Sequence, residues 1–192
     1  MRKLLLCVPM ILLLAGCGPA KVSQAEELAL TIRGEYLEMT TCSSKLSITA
    51  DYGQRVYQYE VDAAVEGENT TLTLTAPETV AGMTARFTGE EGLLEYDGVW
   101  TETGTLDEEG LTPASAFPAL LEAARSGYIT ACALAEEETL LRVDCGDPTG
   151  SPGEGREISL WFDPTTHALV KGEISVDGFR VILCECTDFA KS

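Results

Sequence analysis

The sequence predicts an α+β protein in which one large antiparallel meander is crossed by two helices. Three observations carry that prediction. A helical hydrophobic period runs from Ser23 to Met39, and a second follows Pro113. Between and after them, segments alternating apolar and polar residues recur at short intervals, the period of half-buried strands. Turns of Gly, Asp and Asn separate these segments, and turns that short join strands that are neighbours in sequence.

In chain order, the first segment is not part of the fold. Arg2 and Lys3 precede an apolar run from Leu4 to Leu14, which reads as a secretory signal and is too short to span a bilayer comfortably. It ends in Leu14-Ala15-Gly16-Cys17, which resembles the bacterial lipobox. Residues 1–16 are therefore expected to be a lipoprotein signal peptide and Cys17 the site of lipidation. Residues 17–22, with Gly18-Pro19-Ala20, read as a lipidated tether, and residues 23–192 as one domain. This places the protein on the extracytoplasmic side of the cell membrane, held by its lipid.

The first helix is expected from Ser23, with Ala25, Leu28, Ile32, Tyr36 and Met39 on one face. Ser23 followed by Glu26 matches a capping box. Strands are expected over Lys45 to Asp51, Arg55 to Val65, Thr70 to Ala76, Met83 to Thr88, Leu93 to Tyr96 and Val99 to Thr103, the last two joined by Asp97-Gly98. Thr112 and Pro113 suit the cap and first turn of a second helix through Phe117, Leu120, Leu121 and Ala124, which Gly127 stops. Five more strands are expected: Tyr128 to Leu134, Thr139 to Asp144, Glu157 to Phe162, Ala168 to Val176 and Phe179 to Cys186. The glycine- and proline-rich segment from Gly146 to Gly155 has to be a surface loop.

Composition narrows the chemistry. With 13 Lys plus Arg against 31 Asp plus Glu the chain carries −18, and loss of Arg2 and Lys3 with the signal makes it about −20. Such a surface repels phosphate backbones, so no nucleic-acid partner is expected. It also repels anionic headgroups, so membrane affinity must come from the Cys17 lipid. Clustered carboxylates are plentiful, but no run has the spacing of a calcium loop, and no metal site is expected. Five cysteines remain beyond Cys17: Cys42, Cys132, Cys145, Cys184 and Cys186. An odd number cannot pair completely; they read as small buried hydrophobes, with a Cys132–Cys145 disulfide between neighbouring strands as the alternative. His167, the single histidine, is expected in a solvated turn. No nucleophile–base pair, P-loop or dinucleotide motif is present, so neither catalytic residues nor cofactors are expected.

The order of these features is similar to the LolA-like lipoprotein-carrier superfamily. The residues that carry the resemblance are Tyr96-Asp97-Gly98-Val99-Trp100, Leu160-Trp161-Phe162-Asp163-Pro164 with Thr166 and Leu169, and Glu173-Ile174 through Asp177-Gly178-Phe179. The resemblance implies a strongly curved antiparallel sheet, an incomplete β-barrel, whose concave face is covered by an N-terminal and a central helix around an apolar space. It extends to lipid-anchored relatives of the clostridial germination type. A chain with its own lipobox departs from the soluble carriers, because an anchored carrier cannot diffuse between membranes.

Two functions follow from different classes. In one, the inner face of the sheet holds an apolar ligand such as a lipid or lipoprotein acyl chain, lined by Leu72, Leu74, Phe87, Leu94, Tyr96, Trp100, Trp161 and Ile174; these positions also suit an ordinary core. In the other, the domain is a tethered scaffold that binds and supports another envelope or spore-germination protein. The state of the concave space separates the two: roomy for the ligand, filled by the helices for the scaffold.

Overall fold

The computed structural model describes residues 23–89, 91–135 and 139–192, so the signal segment, the lipobox and Cys17 lie outside the described residues. Helix α1 spans Gln24–Glu38. Its capping box is formed: Ser23 Oγ accepts from the Glu26 N–H at 3.2 Å and the Ser23 N–H donates to Glu26 Oε2 at 2.6 Å. Its buried face is Ala25, Ala29, Ile32 and Tyr36, with Leu28 packed partly against the core. Helix α2 spans Pro113–Ser126 behind a Thr112 cap, and ends where the Gly127 N–H bonds to the Ala123 carbonyl.

Eleven strands surround these helices: β1 Thr41–Asp51, β2 Val56–Glu66, β3 Asn69–Ala76, β4 Thr84–Thr88, β5 Glu91–Tyr96, β6 Val99–Glu102, β7 Ile129–Ala135, β8 Leu140–Cys145, β9 Arg156–Phe162, β10 Leu169–Val176 and β11 Phe179–Lys191. They form one antiparallel sheet in the order β6-β5-β4-β3-β2-β1-β11-β10-β9-β8-β7, which is not closed. The expected single meander is therefore two meanders, β1–β6 and β7–β11, joined by the pairing of the first strand with the last. Hairpin turns specify only neighbours in sequence; the β1–β11 pair closes over more than a hundred residues and has no local signal.

That seam also explains why both strands outrun their expected limits. β1 starts at Thr41 because Cys42 and Ser44 continue the buried alternation, and the Ser44 hydroxyl is satisfied by the Thr187 carbonyl at 2.9 Å. β11 continues five residues past Cys186, its end held to β1 through Ser192 and Thr41.

The register aligns the inward residues in rows across the whole sheet. One row runs Tyr59, Ile48, Cys184, Gly172, Leu160, Val143, Cys132 from β2 to β7. The next on one side is Tyr57, Ala50, Ile182, Ile174, Ile158, Cys145, which continues with Ile129. In the other half, Ala63, Leu72, Ala85 and Leu94 lie side by side. The helices pack on this face: α2 against β1, β9 and β11, α1 against β7, β8 and α2.

Candidate functional site: the concave face and the β5–β6 hairpin

The middle of the concave face is filled. Phe117, Leu120, Leu121, Ile32 and Tyr36 are all buried between helix and sheet. Leu120 sits over Gly172 so closely that a Cβ there would lie 2.4 Å from Leu120 Cδ1. The glycine is what lets the helix approach the sheet. Tyr36 packs edge-on to Phe162 at 5.4 Å between ring centroids and stacks on Phe189 at 6.0 Å, while its hydroxyl donates to the His167 carbonyl.

Two arginines lock the helices to one another. Arg33 of α1 donates to the Gly127 carbonyl at 2.5 Å and the Ala124 carbonyl at 3.4 Å, at the C-terminal end of α2. Arg125 of α2 donates to the Tyr36 carbonyl in the last turn of α1 at 3.1 Å. Each supplies a cation where helix carbonyls have no partner of their own.

A third tie joins α1 to the C-terminal half of the sheet. Glu35 bonds His167 Nδ1 at 2.7 Å and pairs with Lys191, and the Lys191 ammonium also lies 4.9 Å from the Tyr36 ring. Lys191, with His167 beside it, holds the Glu35 carboxyl below the usual carboxylate range. His167 is thus a half-buried structural partner at φ +59°, not the solvated turn residue expected. Asp163, accepting from the Thr165 and Thr166 N–H groups at 2.8 Å, shapes the turn that presents it.

The eight residues expected to line an apolar space fall into three groups. Leu72, Phe87 and Ile174 are buried inward, with Leu74 and Leu94 half-buried beside them. Tyr96 faces inward but is exposed, in the strand that pairs with the edge strand. Trp100 and Trp161 are on the opposite face, which corrects their expected placement. Trp161 is in register with Arg142 and Lys171, and both cations lie on its ring, at 5.2 and 3.9 Å. Trp100 is in register with Glu95 and lies under Arg86 at 5.7 Å. Inward and outward positions differ by one residue in a strand, and neighbouring Leu160 and Phe162 take the inward places.

Among the described residues, surface clefts of about 260 to 500 Å³ include five on the helices, the sheet and the 146–155 loop. The eight residues line none of these five. One of about 460 Å³ lies between β7–β9 and the 146–155 loop and mixes charged residues such as Arg142, Asp144 and Glu157 with apolar ones such as Ile129, Pro148 and Pro152. The five cysteines beyond Cys17 are free. Cys132 is in register with Val143, and Cys145 with Ile129, so the two thiols suggested as a disulfide occupy different rungs. Burial pushes the Cys42 thiol up to about 11 and raises Cys145 as well. A hydrogen bond with Cys186, then burial, raises Cys184. Thiols so placed are weak nucleophiles. Among the described residues, no three His, Cys, Asp or Glu side chains stand together as a metal site, and no helix is long and apolar enough to cross a membrane.

Sequence reasoning took Tyr96 and Trp100 of the β5–β6 hairpin as the lining of an inner space and did not foresee the hairpin as exposed apolar surface. Leu93, Tyr96, Val99 and Trp100 are 40, 44, 69 and 50 % exposed. The available signal was the hairpin itself, a D-G turn flanked by large apolar residues at both parities, where a half-buried ribbon would carry them at one.

No family profile matches the sequence, and no curated protein matches it. Solved structures do match. An uncharacterized conserved protein from Thermus thermophilus is 7 % identical, with 88 % of each chain covered and a TM-score of 0.51. A LolA superfamily protein from Nitrosomonas europaea is 12 % identical, over 86 % of this chain and 92 % of the other, at a TM-score of 0.43. A chain in the complex of the CwlD amidase from Clostridioides difficile with the GerS lipoprotein is 14 % identical, over 88 % and 96 %, at 0.47. At these identities the likeness is one of fold alone, two helices on an open eleven-stranded antiparallel sheet among the described residues.

Proposed function

We propose that the protein is a lipid-anchored, non-catalytic binding protein of the bacterial cell envelope, and that its domain docks a protein partner rather than enclosing a lipid. The observation that carries this reading is the filling of the concave face by α2, with Leu120 against Gly172 in the middle of the sheet. An acyl chain needs a continuous apolar cavity of several hundred cubic ångströms, and the helix side chains occupy that place. The anchor rests on the lipobox at Cys17. Labelling cells with an alkyne fatty acid should mark the wild-type protein and not Cys17→Ser; equal labelling of both would remove the anchor from the proposal.

Native mass spectrometry of the protein purified from its own envelope tests the docking reading. A mass equal to the polypeptide and its N-terminal lipid alone is expected. A further stoichiometric lipid would overturn it in favour of the carrier-like reading. That second reading has one observation of its own: inward Leu74 and Leu94, in adjacent rows, are half-buried and lead to exposed Tyr96, so the β3–β5 part of the inner face is where such a lipid would lie.

A further inference from the structure

We propose that the free edge of β6 binds an extended, alternating basic and apolar segment of another protein by strand addition; this deepens the docking reading above and rests on it. The first observation is the concentration of exposed apolar surface. Of the eleven large hydrophobic residues exposed in the described structure, Leu93, Tyr96, Val99 and Trp100 fall within eight positions of one hairpin. Apolar exposure this concentrated, on an edge, marks an interaction surface.

The second observation is the edge itself. β6 is the terminal strand of the sheet. Tyr96 pairs with Val99 around the two-residue Asp97-Gly98 turn, Leu94 pairs with Thr101, and the Thr103 N–H donates to the Gly92 carbonyl at 2.9 Å. Alternation along an antiparallel ladder then turns the N–H and C=O groups of Trp100 and Glu102 away from β5. These are the groups an added strand would use. Val99–Glu102 contains neither Lys nor Pro, the residues that commonly guard an edge.

The third observation is charge, and it selects the occupant. From Phe87 to Ala124 the chain has nine carboxylates (Glu90, Glu91, Glu95, Asp97, Glu102, Asp107, Glu108, Glu109 and Glu122) and no lysine or arginine. A second copy of this chain would bring the same charges to the edge and be repelled. A basic segment would be attracted. The two faces of the edge specify its pattern. On the outer face, Trp100, Glu102 and Glu95 offer a ring and two carboxylates to cationic side chains; Arg86 already lies on that ring and pairs weakly with Glu95 at 4.0 Å. On the inner face, Val99 and Tyr96 offer apolar contact. An extended chain that alternates Arg or Lys with Val or Leu satisfies both at once.

The test uses the full mature protein in nanodiscs of zwitterionic lipid, which gives a basic peptide no anionic bilayer to bind. The probe is an acetylated seven-residue peptide alternating Arg and Val, with an Arg–Gly peptide of equal charge as control. Hydrogen exchange should slow at Trp100 and Glu102 with the Arg–Val peptide. Glu102→Pro, which removes an edge N–H outside the β5 ladder, should weaken binding by about tenfold without altering the thermal midpoint. Glu102→Lys should weaken it similarly through charge. Binding that is equal for the two peptides, or unchanged in both variants, or that protects only residues elsewhere, would overturn the assignment, as would no binding at millimolar peptide. Those failures leave the lipid-free mass intact, so they are distinguishable from failure of the docking reading itself.

Discussion

Replacing Gly172 with Ala tests whether the concave face is filled, which the functional reading requires. In a strand interior, Gly to Ala is ordinarily favourable by about 0.5–1 kcal/mol, because the unfolded chain loses freedom. Here the new methyl would lie 2.4, 2.6 and 3.0 Å from three carbons of Leu120, a fully buried side chain with no solvent to move into. Overpacking of that kind costs about 1–3 kcal/mol, enough to reverse the sign. For a domain of this size the midpoint should fall by roughly 2–4 °C per kcal/mol. Leu120→Ala alone opens a cavity and should cost about 2–5 kcal/mol. In that background the Gly172 methyl enters empty space, and Gly172→Ala should become neutral or stabilising. The four proteins, all with Cys17→Ser, form a cycle measured by urea unfolding, with an expected coupling of about 2 kcal/mol between contacting sites. Additive effects, or a Gly172→Ala protein as stable as its parent, would refute the close packing of α2 on β10 and reopen the space for a ligand.

Arg33→Met removes the donors to the Gly127 and Ala124 carbonyls and should cost about 1.5–3 kcal/mol in the same assay; a loss below about 0.5 kcal/mol would show that water replaces the arginine. Glu35 has a folded-state pKa held down by Lys191 and His167. Its contribution is present above the unfolded glutamate value and is lost as pH falls through the depressed folded value. Glu35→Gln should therefore flatten the acid limb of the stability profile, and an unchanged slope would remove the ion-pair account. The mature protein without residues 1–16, with Cys17 acylated or replaced, should present at most one thiol to Ellman's reagent at neutral pH, the partly exposed Cys132, since Cys42, Cys145, Cys184 and Cys186 are buried. Rapid reaction of two or more would contradict that burial.

The sequence by itself determined the elements. A capping pair, Ser23 with Glu26, fixed where α1 begins, and Thr112-Pro113 did the same for α2, because a helix end needs local partners for its orphan N–H groups. Asp97-Gly98 and Asp177-Gly178 fixed two hairpins, because their backbones require positive φ, which both residues of each pair adopt. Alternation fixed most of the strands. What only the tertiary structure decided was which strand ends meet and which surface each face encounters. The β1–β11 seam turned one meander into two, and the resulting sheet put Leu160 under α2 while sending Trp161, one residue later, to the other side between Arg142 and Lys171. Periodicity marks Trp100 and Trp161 as apolar strand residues without saying which side is inside. That the middle of the concave face is core rests on the close approach of Leu120 to Gly172, set by the packing of two elements some fifty residues apart and carried by no local pattern.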